Sequence, residues 1–270
     1  MRTNVIFLSI PVALSAITGC TNDVPSSDTG NDMISFSTLS DTSYYELVDL
    51  TKEYGHPVYA VTSYSIVFPE RVFNHDIREL QDSVISKTLW AKNPSLAEAT
   101  EHFLESPSGI EESAVKEIPS SAVNYQNSGF LSTSGYVFRL TPVILTFRAD
   151  YYRYYFHAAH GMYGSTFVNY HIPSGKVLTA DDILVPGDKE EIISVIRDEA
   201  ASKYKDSGML DTEGIIHYRN FYISGQSITF VYQPYEAGPY ALGMVEVTVY
   251  PHTIGNCLTP LGKKVLGIPD

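Results

Sequence analysis

The chain has 270 residues, a formal net charge of −13 at pH 7 and a hydrophobic content of 44%. This length allows one domain or two closely packed ones. The acidic balance leaves no basic stripe that could release counterions from phosphates, so nucleic acid is excluded as a partner class. Twenty tyrosines supply amphipathic side chains that are suited to interfaces.

The N-terminus predicts an export signal over residues 1–19. Arg2 precedes the apolar run VIFLSIPVALSAI, which is too short to span a bilayer. The run ends in Ile17-Thr18-Gly19-Cys20, which resembles a bacterial lipobox, where the cysteine is lipidated and begins the mature chain. The alternative is an ordinary secretory signal that happens to carry a cysteine. The lipobox and the ordinary signal both predict export. The lipobox also predicts a lipid anchor at Cys20 as the only contact with a membrane. The expected location is the outer membrane or the cell surface.

Residues 20–43 are expected to form a flexible tether, because they are polar and rich in Ser, Thr, Asp and Gly. With Cys20 lipidated, Cys257 has no disulfide partner and is interpreted as a small buried hydrophobe. Ordered structure is expected to begin near Tyr44.

Residues 44–120 are predicted to form an N-terminal α+β subdomain. The stretch YYELVDLTKEYGHPVYAVTSYSIVFP indicates two strands around a turn at Tyr54-Gly55-His56-Pro57. An amphipathic helix is predicted next, with Asn74 as its N-cap. Its apolar stripe is Phe73, Ile77, Leu80 and Val84. Ser95 and Glu98 form a capping-box pattern that predicts a second helix.

Residues 121–270 are predicted to form the C-terminal domain. Strands come first, among them an aromatic strand that directs Tyr151 and Tyr155 to one face and Tyr152 and Tyr154 to the other. A hairpin at 174–176, a short capped helical turn and a helix over 188–204 follow. The last two predicted strands are SITFVYQP and MVEVTVYP. The fold class is therefore α+β, an antiparallel β-sheet packed against helices in two closely associated subdomains.

No motif in the chain predicts a metal, a cofactor or a catalytic residue. His157 and His160 are spaced i and i+3 without the glutamate of a zinc-enzyme signature, so His160 is interpreted as a hydrogen-bonding corner residue. No nucleophile elbow or phosphate-binding glycine loop is present. The acidic pairs Asp181-Asp182 and Glu190-Glu191 stand at predicted helix starts, where the helix dipole favours negative charge.

The connection between the last two strands, Tyr235-Glu236-Ala237-Gly238-Pro239-Tyr240, is interpreted as a shaped corner. Glycine and proline there allow unusual backbone angles and end strand pairing. Glu236 is expected to cap backbone amides or to pair locally. The alternative is a catalytic role for this carboxylate.

This corner, followed by VEVTV, resembles the closing signature of the RsiV-type C-terminal domain family. Upstream, His160-Gly161 with Tyr163, then Asn169-Tyr170 and SGKVLTADDIL, is similar to another block of that family. The family usually has glycines at the positions of His157 and Ala158. The stretch YSIVFPERVFNHDIRELQDSVI is similar to the domain that precedes this one in the deacetylase PdaC and in many exported lipoproteins.

The resemblance implies an extracytoplasmic binding module, because RsiV-like anti-sigma factors bind lysozyme outside the cell. A lipoprotein signal stands here in place of their cytoplasmic arm and membrane span, and the deacetylase domain of PdaC-like proteins is not present. We therefore expect a lipid-anchored, non-catalytic protein that binds a lysozyme-like protein or peptidoglycan. The candidate binding surface comprises Tyr151, Tyr155, His160, Tyr163, Tyr235, Glu236 and Tyr240.

Two other readings stay open at this stage. An enzyme acting on cell-wall glycan would use Glu236, His160 or Asp150 as acid or base, with a second carboxylate across an open cleft. A structural module of the envelope would instead expose an apolar patch to another subunit.

Overall fold

The computed structural model describes residues 34–92, 95–106 and 114–269. The strands of the larger sheet are β1 (Ile34–Leu47), β2 (Tyr59–Val72), β3 (Val115–Glu117), β4 (Ser128–Leu140), β5 (Ile144–Tyr154), β6 (Met162–His171) and β7 (Lys176–Leu178). They lie in the order β3-β1-β2-β4-β5-β6-β7. Neighbours pair antiparallel except β2 and β4, which run parallel from Tyr59 opposite Ser128 to Ile66 opposite Gly135.

A smaller antiparallel sheet packs beside the larger one. Its strands are β8 (Phe221–Ser224), β9 (Ser227–Tyr232) and β10 (Val245–Val249), and β9 lies in the centre. Every residue of β9 is buried, as expected for a strand that is covered on both faces.

The described part of the chain has seven α-helices beside the sheets: α1 (Val48–Tyr54), α2 (Arg78–Leu89), α3 (Leu96–Glu105), α4 (Ala180–Ile183), α5 (Lys189–Lys203), α6 (Pro251–Ile254) and α7 (Pro260–Val265). Within the described ranges, none of them has the length and hydropathy that a membrane span requires.

Two large apolar cores hold these layers together, beside a small cluster of Leu47, Val58 and Ala60. In the first, Leu80 and Val84 of α2 pack against the larger sheet in one cluster with Phe147. In the second, Ile192 of α5 shares a cluster with Phe230 of the smaller sheet. The predicted α+β class, with sheets packed against helices, is confirmed.

The division between the cores differs from the predicted subdomain boundary at residues 120 and 121. The buried residues of the first core come from the range between Ile34 and Ile172. The second core consists of Ile144 and of residues from Leu178 onwards. The parallel pairing of β2 with β4 is the reason, because it joins both predicted subdomains into one sheet.

The predicted tether is wrong over residues 34–43, which form the first part of β1. Ile34 and Phe36 are buried, and β2 supplies a ladder partner for most of the strand. The signal at 1–19, the lipidation site Cys20 and the rest of the tether lie outside the described residues.

Two local predictions in the first half are also wrong. The strand expected to run up to the turn at Tyr54 ends at Leu47 and is followed by α1. The helix expected from Asn74 begins only at Arg78. Phe73, which was predicted to start its apolar stripe, lies outside it with a left-handed φ of 51° that helical residues do not adopt.

Both predicted capping boxes and the hairpin at 174–176 are confirmed. Ser95 and Glu98 form the reciprocal capping box of α3, and Thr179 with Asp182 does the same for α4. The predicted helix over 188–204 is α5, within one residue at each end. Lys176 begins the return strand of the predicted hairpin.

Candidate functional site

The corner between β9 and β10 approaches its neighbours so closely that two positions require glycine. Gly238 has a φ of +153°, and a Cβ there would lie 2.8 Å from the carbonyl oxygen of Met209. Gly243 has a φ of +76°, and a Cβ there would lie 3.1 Å from the Tyr163 hydroxyl. Larger residues would meet both backbone strain and steric overlap. The predicted shaped corner is confirmed.

Glu236 stabilises this corner from within. Its Oε2 accepts a 2.6 Å hydrogen bond from the backbone N–H of Gln233, and its Oε1 lies 3.6 Å from Nε2 of His217. Burial first, and the nearby Glu236 carboxylate second, raise the pKa of the Tyr232 hydroxyl. The predicted local capping role is therefore confirmed.

Tyr235 and Tyr240 of this β9–β10 connection lie in a group of rings with Tyr152, His160 and Tyr163. We call this group of five side chains the aromatic corner. The His160 ring stacks on Tyr240 with centroids 3.9 Å apart and planes 24° apart. Tyr163 meets Tyr240 edge-on at 5.8 Å. Tyr235 holds a left-handed φ of 76°, a conformation that persists only where the surroundings impose it.

The hydrogen bonds of His160 define its tautomer. Its Nδ1 lies 3.0 Å from the carbonyl oxygen of Gly161, and a carbonyl can only accept, so Nδ1 donates. In the neutral ring Nε2 is then an acceptor, which the Tyr235 hydroxyl satisfies by donating over 3.2 Å. The ring is thus held at both nitrogens in the orientation that stacks on Tyr240.

Tyr152 completes the group and was not among the predicted surface residues. It is the cross-strand partner of Tyr163, and its ring lies so close to Gly161 that a Cβ there would be 2.5 Å away. Burial, and then the neighbouring phenols of Tyr163, Tyr152 and Tyr235, raise the pKa of Tyr240. Tyr152 is 41% exposed and Tyr235 is 56% exposed, so the assembled rings face solvent.

The structure thus brings together four of the seven predicted surface residues, namely His160, Tyr163, Tyr235 and Tyr240. Tyr151 lies on the opposite face of β5 from Tyr152 and packs edge-on against Trp90 at 6.0 Å. Tyr155 follows the strand and lies 5.0 Å from the guanidinium of Arg153. Glu236 is directed towards His217. These three predicted members do not belong to the aromatic corner.

His157 and His160 contact different partners. His157 stacks on Tyr54 at 4.8 Å with planes 9° apart, whereas His160 stacks on Tyr240. In the described part of the chain, no three His, Cys, Asp or Glu side chains are arranged to hold a metal ion.

Asp150, the other carboxylate considered for catalysis, is part of a polar network. It accepts from Nε of Arg148 at 2.7 Å, from the hydroxyl of Tyr136 at 3.1 Å and from Ser165. Asp150 and Glu236 therefore have separate sets of partners.

Two side-chain amides next to the smaller sheet bind the edge of β6. They contact the part of β6 that precedes its short pairing with β7. Gln233 accepts from the Ser165 N–H at 2.9 Å and donates to the Ser165 carbonyl at 2.7 Å. Asn220 donates to the same carbonyl at 2.9 Å and accepts from Phe167 N–H at 3.2 Å. Gly164 leaves room for this contact, because a Cβ there would lie 2.2 Å from Gln233 Oε1. The aromatic corner is therefore held by both sheets.

Residues 181–250 match the family described as "Protein of unknown function (DUF3298)". The matched range includes the corner and all of the smaller sheet. No curated protein matches the chain.

Two crystal structures of DUF3298-family proteins share the fold. The one from Bacteroides fragilis NCTC 9343 is 20% identical, with a TM-score of 0.66, over 87% of this chain and 97% of that one. The one from Pseudomonas aeruginosa PAO1 is 16% identical, with a TM-score of 0.55 and the same two coverages. At these identities the likeness concerns the architecture.

Proposed function

We propose that this protein is a lipid-anchored extracytoplasmic module that binds cell-wall glycan at the aromatic corner without catalysing a reaction. The observation that carries the proposal is the stacked group of Tyr240, His160 and Tyr235, in which His160 and Tyr235 are exposed and Tyr240 is partly exposed. An aromatic face carries partial negative charge, so the C–H groups of a sugar ring pack well on it. Tyrosine adds a hydroxyl that hydrogen-bonds to the sugar, at a small cost in side-chain entropy.

The rigidity of the rings supports this proposal. His160 is fixed at both ring nitrogens, and the corner is joined to β6 through Gln233. A surface that is already ordered loses little conformational freedom when a ligand binds, which favours affinity.

The non-catalytic part of the proposal rests on the carboxylates. Glycoside hydrolysis uses two carboxyl groups that face each other across the bond to be cleaved. Asp150 is bound by Arg148, Tyr136 and Ser165, and Glu236 caps the corner. A lysozyme-like protein partner is supported by the RsiV-type resemblance alone. The experiment below therefore tests binding to lysozyme as well as binding to peptidoglycan.

The test is sedimentation of the mature chain, with Cys20→Ser to keep it soluble, on insoluble peptidoglycan. We expect the double variant Tyr235→Ala, Tyr240→Ala to lose at least about tenfold in affinity, since tenfold corresponds to about 1.4 kcal/mol and truncating a central aromatic contact costs about 2 kcal/mol or more. Tyr125 and Tyr250 are matched controls, because they are 57% and 50% exposed and lie outside the aromatic corner. Their alanine double variant should bind like the parent chain.

The same variants are then tested on immobilised lysozyme by surface plasmon resonance. Binding to lysozyme and not to peptidoglycan would replace the glycan with a protein partner at the same surface. Binding to neither would contradict the proposal and leave the structural envelope module as the better account. Glycan cleavage products in the supernatant would contradict the non-catalytic part.

A further inference from the structure

A cleft of about 760 Å³ lies between α2, the β6–β7 hairpin, α4 and the segment before β8. It is separate from the aromatic corner, and its volume is typical of pockets that accept small molecules or the end of a polymer. The residues that decide its chemistry are Lys87, Asp181, Lys189, Ile216, His217 and Arg219.

Three cations and one carboxylate line this cleft. Lys87, Lys189 and Arg219 form no ion pair with any carboxylate in the described part of the chain, and Asp181 is the single acidic lining residue. This local excess of positive charge stands out in a chain whose net charge is −13. A concave surface with one sign of charge concentrates ligands of the opposite sign.

Lys189 is the first residue of α5, and Glu190 and Glu191 follow it in the first turn. These two acidic residues already meet the preference of the helix dipole for negative charge. Lys189 therefore enters the argument only as a cation that lines the cleft.

The remaining wall of the cleft is apolar. Ile216 is 62% exposed at its rim, and Phe167, Leu178 and Phe221 also line it. The amide of Asn169, a further lining residue, is already used, because it accepts from Thr146 and donates to the Phe221 carbonyl. The cations are therefore the charged groups that are available to bind an anionic ligand.

We propose that this cleft binds an organic anion that carries an apolar chain. Lys87 and Arg219, with Lys189, hold the anionic head group, and Ile216 covers the chain. Carboxylates and phosphates share the required chemistry: charge-assisted hydrogen bonds to arginine and lysine. The proposal is independent of the glycan-binding function, because it concerns a different surface.

The experiment uses the fluorescent anion 8-anilinonaphthalene-1-sulfonate on the purified mature chain, followed by displacement with octanoate, octyl phosphate or the uncharged octyl glucoside. We expect the dye to bind, both octyl anions to displace it and octyl glucoside to leave it bound. The stronger of the two competitors identifies the preferred head group. Raising the salt concentration should weaken dye binding, since exposed charges are screened.

Variants separate the cleft from the rest of the surface. Lys87→Gln with Arg219→Gln should weaken dye binding about tenfold, and Ile216→Ser should weaken displacement by both octyl anions. Lys205→Gln with Lys263→Gln removes the same charge from positions that do not line the cleft and should leave binding within about twofold of the parent chain. All these side chains are at least partly exposed, and thermal melts verify that each variant is folded. No dye binding to the parent chain, equal weakening in both double variants, or displacement by octyl glucoside would overturn the proposal.

Discussion

The corner between β9 and β10 makes a quantitative prediction about Gly238. Replacing it with alanine combines two penalties, a φ of +153° and a Cβ 2.8 Å from the Met209 carbonyl oxygen. The backbone strain costs about 1–3 kcal/mol, and steric overlap in a packed site adds about 1–3 kcal/mol. The expected loss is the sum of the two, ~2–6 kcal/mol, a large part of the ~5–15 kcal/mol by which folded proteins are stable.

Two other glycines separate these penalties. Gly225 has a φ of +61° but nothing within 4 Å of an added Cβ, so Gly225→Ala should cost the strain alone, about 1 kcal/mol. Gly187 has an unstrained φ and equally open surroundings, so Gly187→Ala should change the free energy of unfolding by less than about 0.5 kcal/mol. Glu236→Gln weakens the bond to the Gln233 amide and should cost about 1 kcal/mol.

The assay is urea denaturation followed by circular dichroism and by the fluorescence of Trp90, the single tryptophan. Equal slopes of the free energy of unfolding against urea concentration are required for the comparison. The reasoning is refuted if Gly238→Ala costs no more than Gly225→Ala, because the close approach to Met209 would then contribute nothing.

Other consequences concern the cysteines and a buried histidine. Burial, with Glu191 and Asp188 nearby, raises the pKa of Cys257 to about 11, so about one thiol in a thousand is ionised at pH 8. In a Cys20→Ser chain, a thiol reagent should therefore label Cys257 only after denaturation. Rapid labelling of the native chain would contradict the burial of Cys257. Burial, and then the nearby charge of Lys264, lower the pKa of His171 below its ordinary value of 6.5. As the pH falls through 6.5, the unfolded state therefore binds a proton before the folded state does. The free energy of unfolding should decline on acidification as a result. His171→Asn should make the urea midpoint less dependent on pH between 7 and 5, and an unchanged dependence would exclude His171 as its source. Cys20→Ser should release the protein from the membrane fraction and abolish labelling by a fatty-acid probe, whereas an unlabelled parent chain that stays membrane-bound would contradict the lipid anchor.

Local signals in the sequence predicted much of the fold. The capping boxes at Ser95 and Thr179 were recognisable because both partners lie within four residues. The first part of β1 was missed because its composition is polar and its strand character comes from pairing with β2. The parallel pairing of β2 with β4 likewise depends on residues that no local window contains together.

The candidate site shows the same limit. The motif around Tyr235 and Tyr240 was recognisable, but the alternation of β5 left open whether Tyr151 or Tyr152 faces outward. The answer depends on Trp90 at the end of α2, which packs on Tyr151. The cleft could not be predicted, because Lys87, Lys189 and Arg219 are far apart in sequence and line one cleft only in the folded chain.

The side-chain amides that bond to β6 also have a consequence for how the protein behaves at high concentration. β7 pairs with β6 only from Asn169 to His171, and the preceding stretch would otherwise present free N–H and C=O groups to any extended chain. Gln233 and Asn220 occupy those groups at Ser165 and Phe167. The backbone groups of this edge are therefore hydrogen-bonded although no strand pairs with them. A second molecule consequently finds no free edge on which a strand could add, which is the first step of β-aggregation.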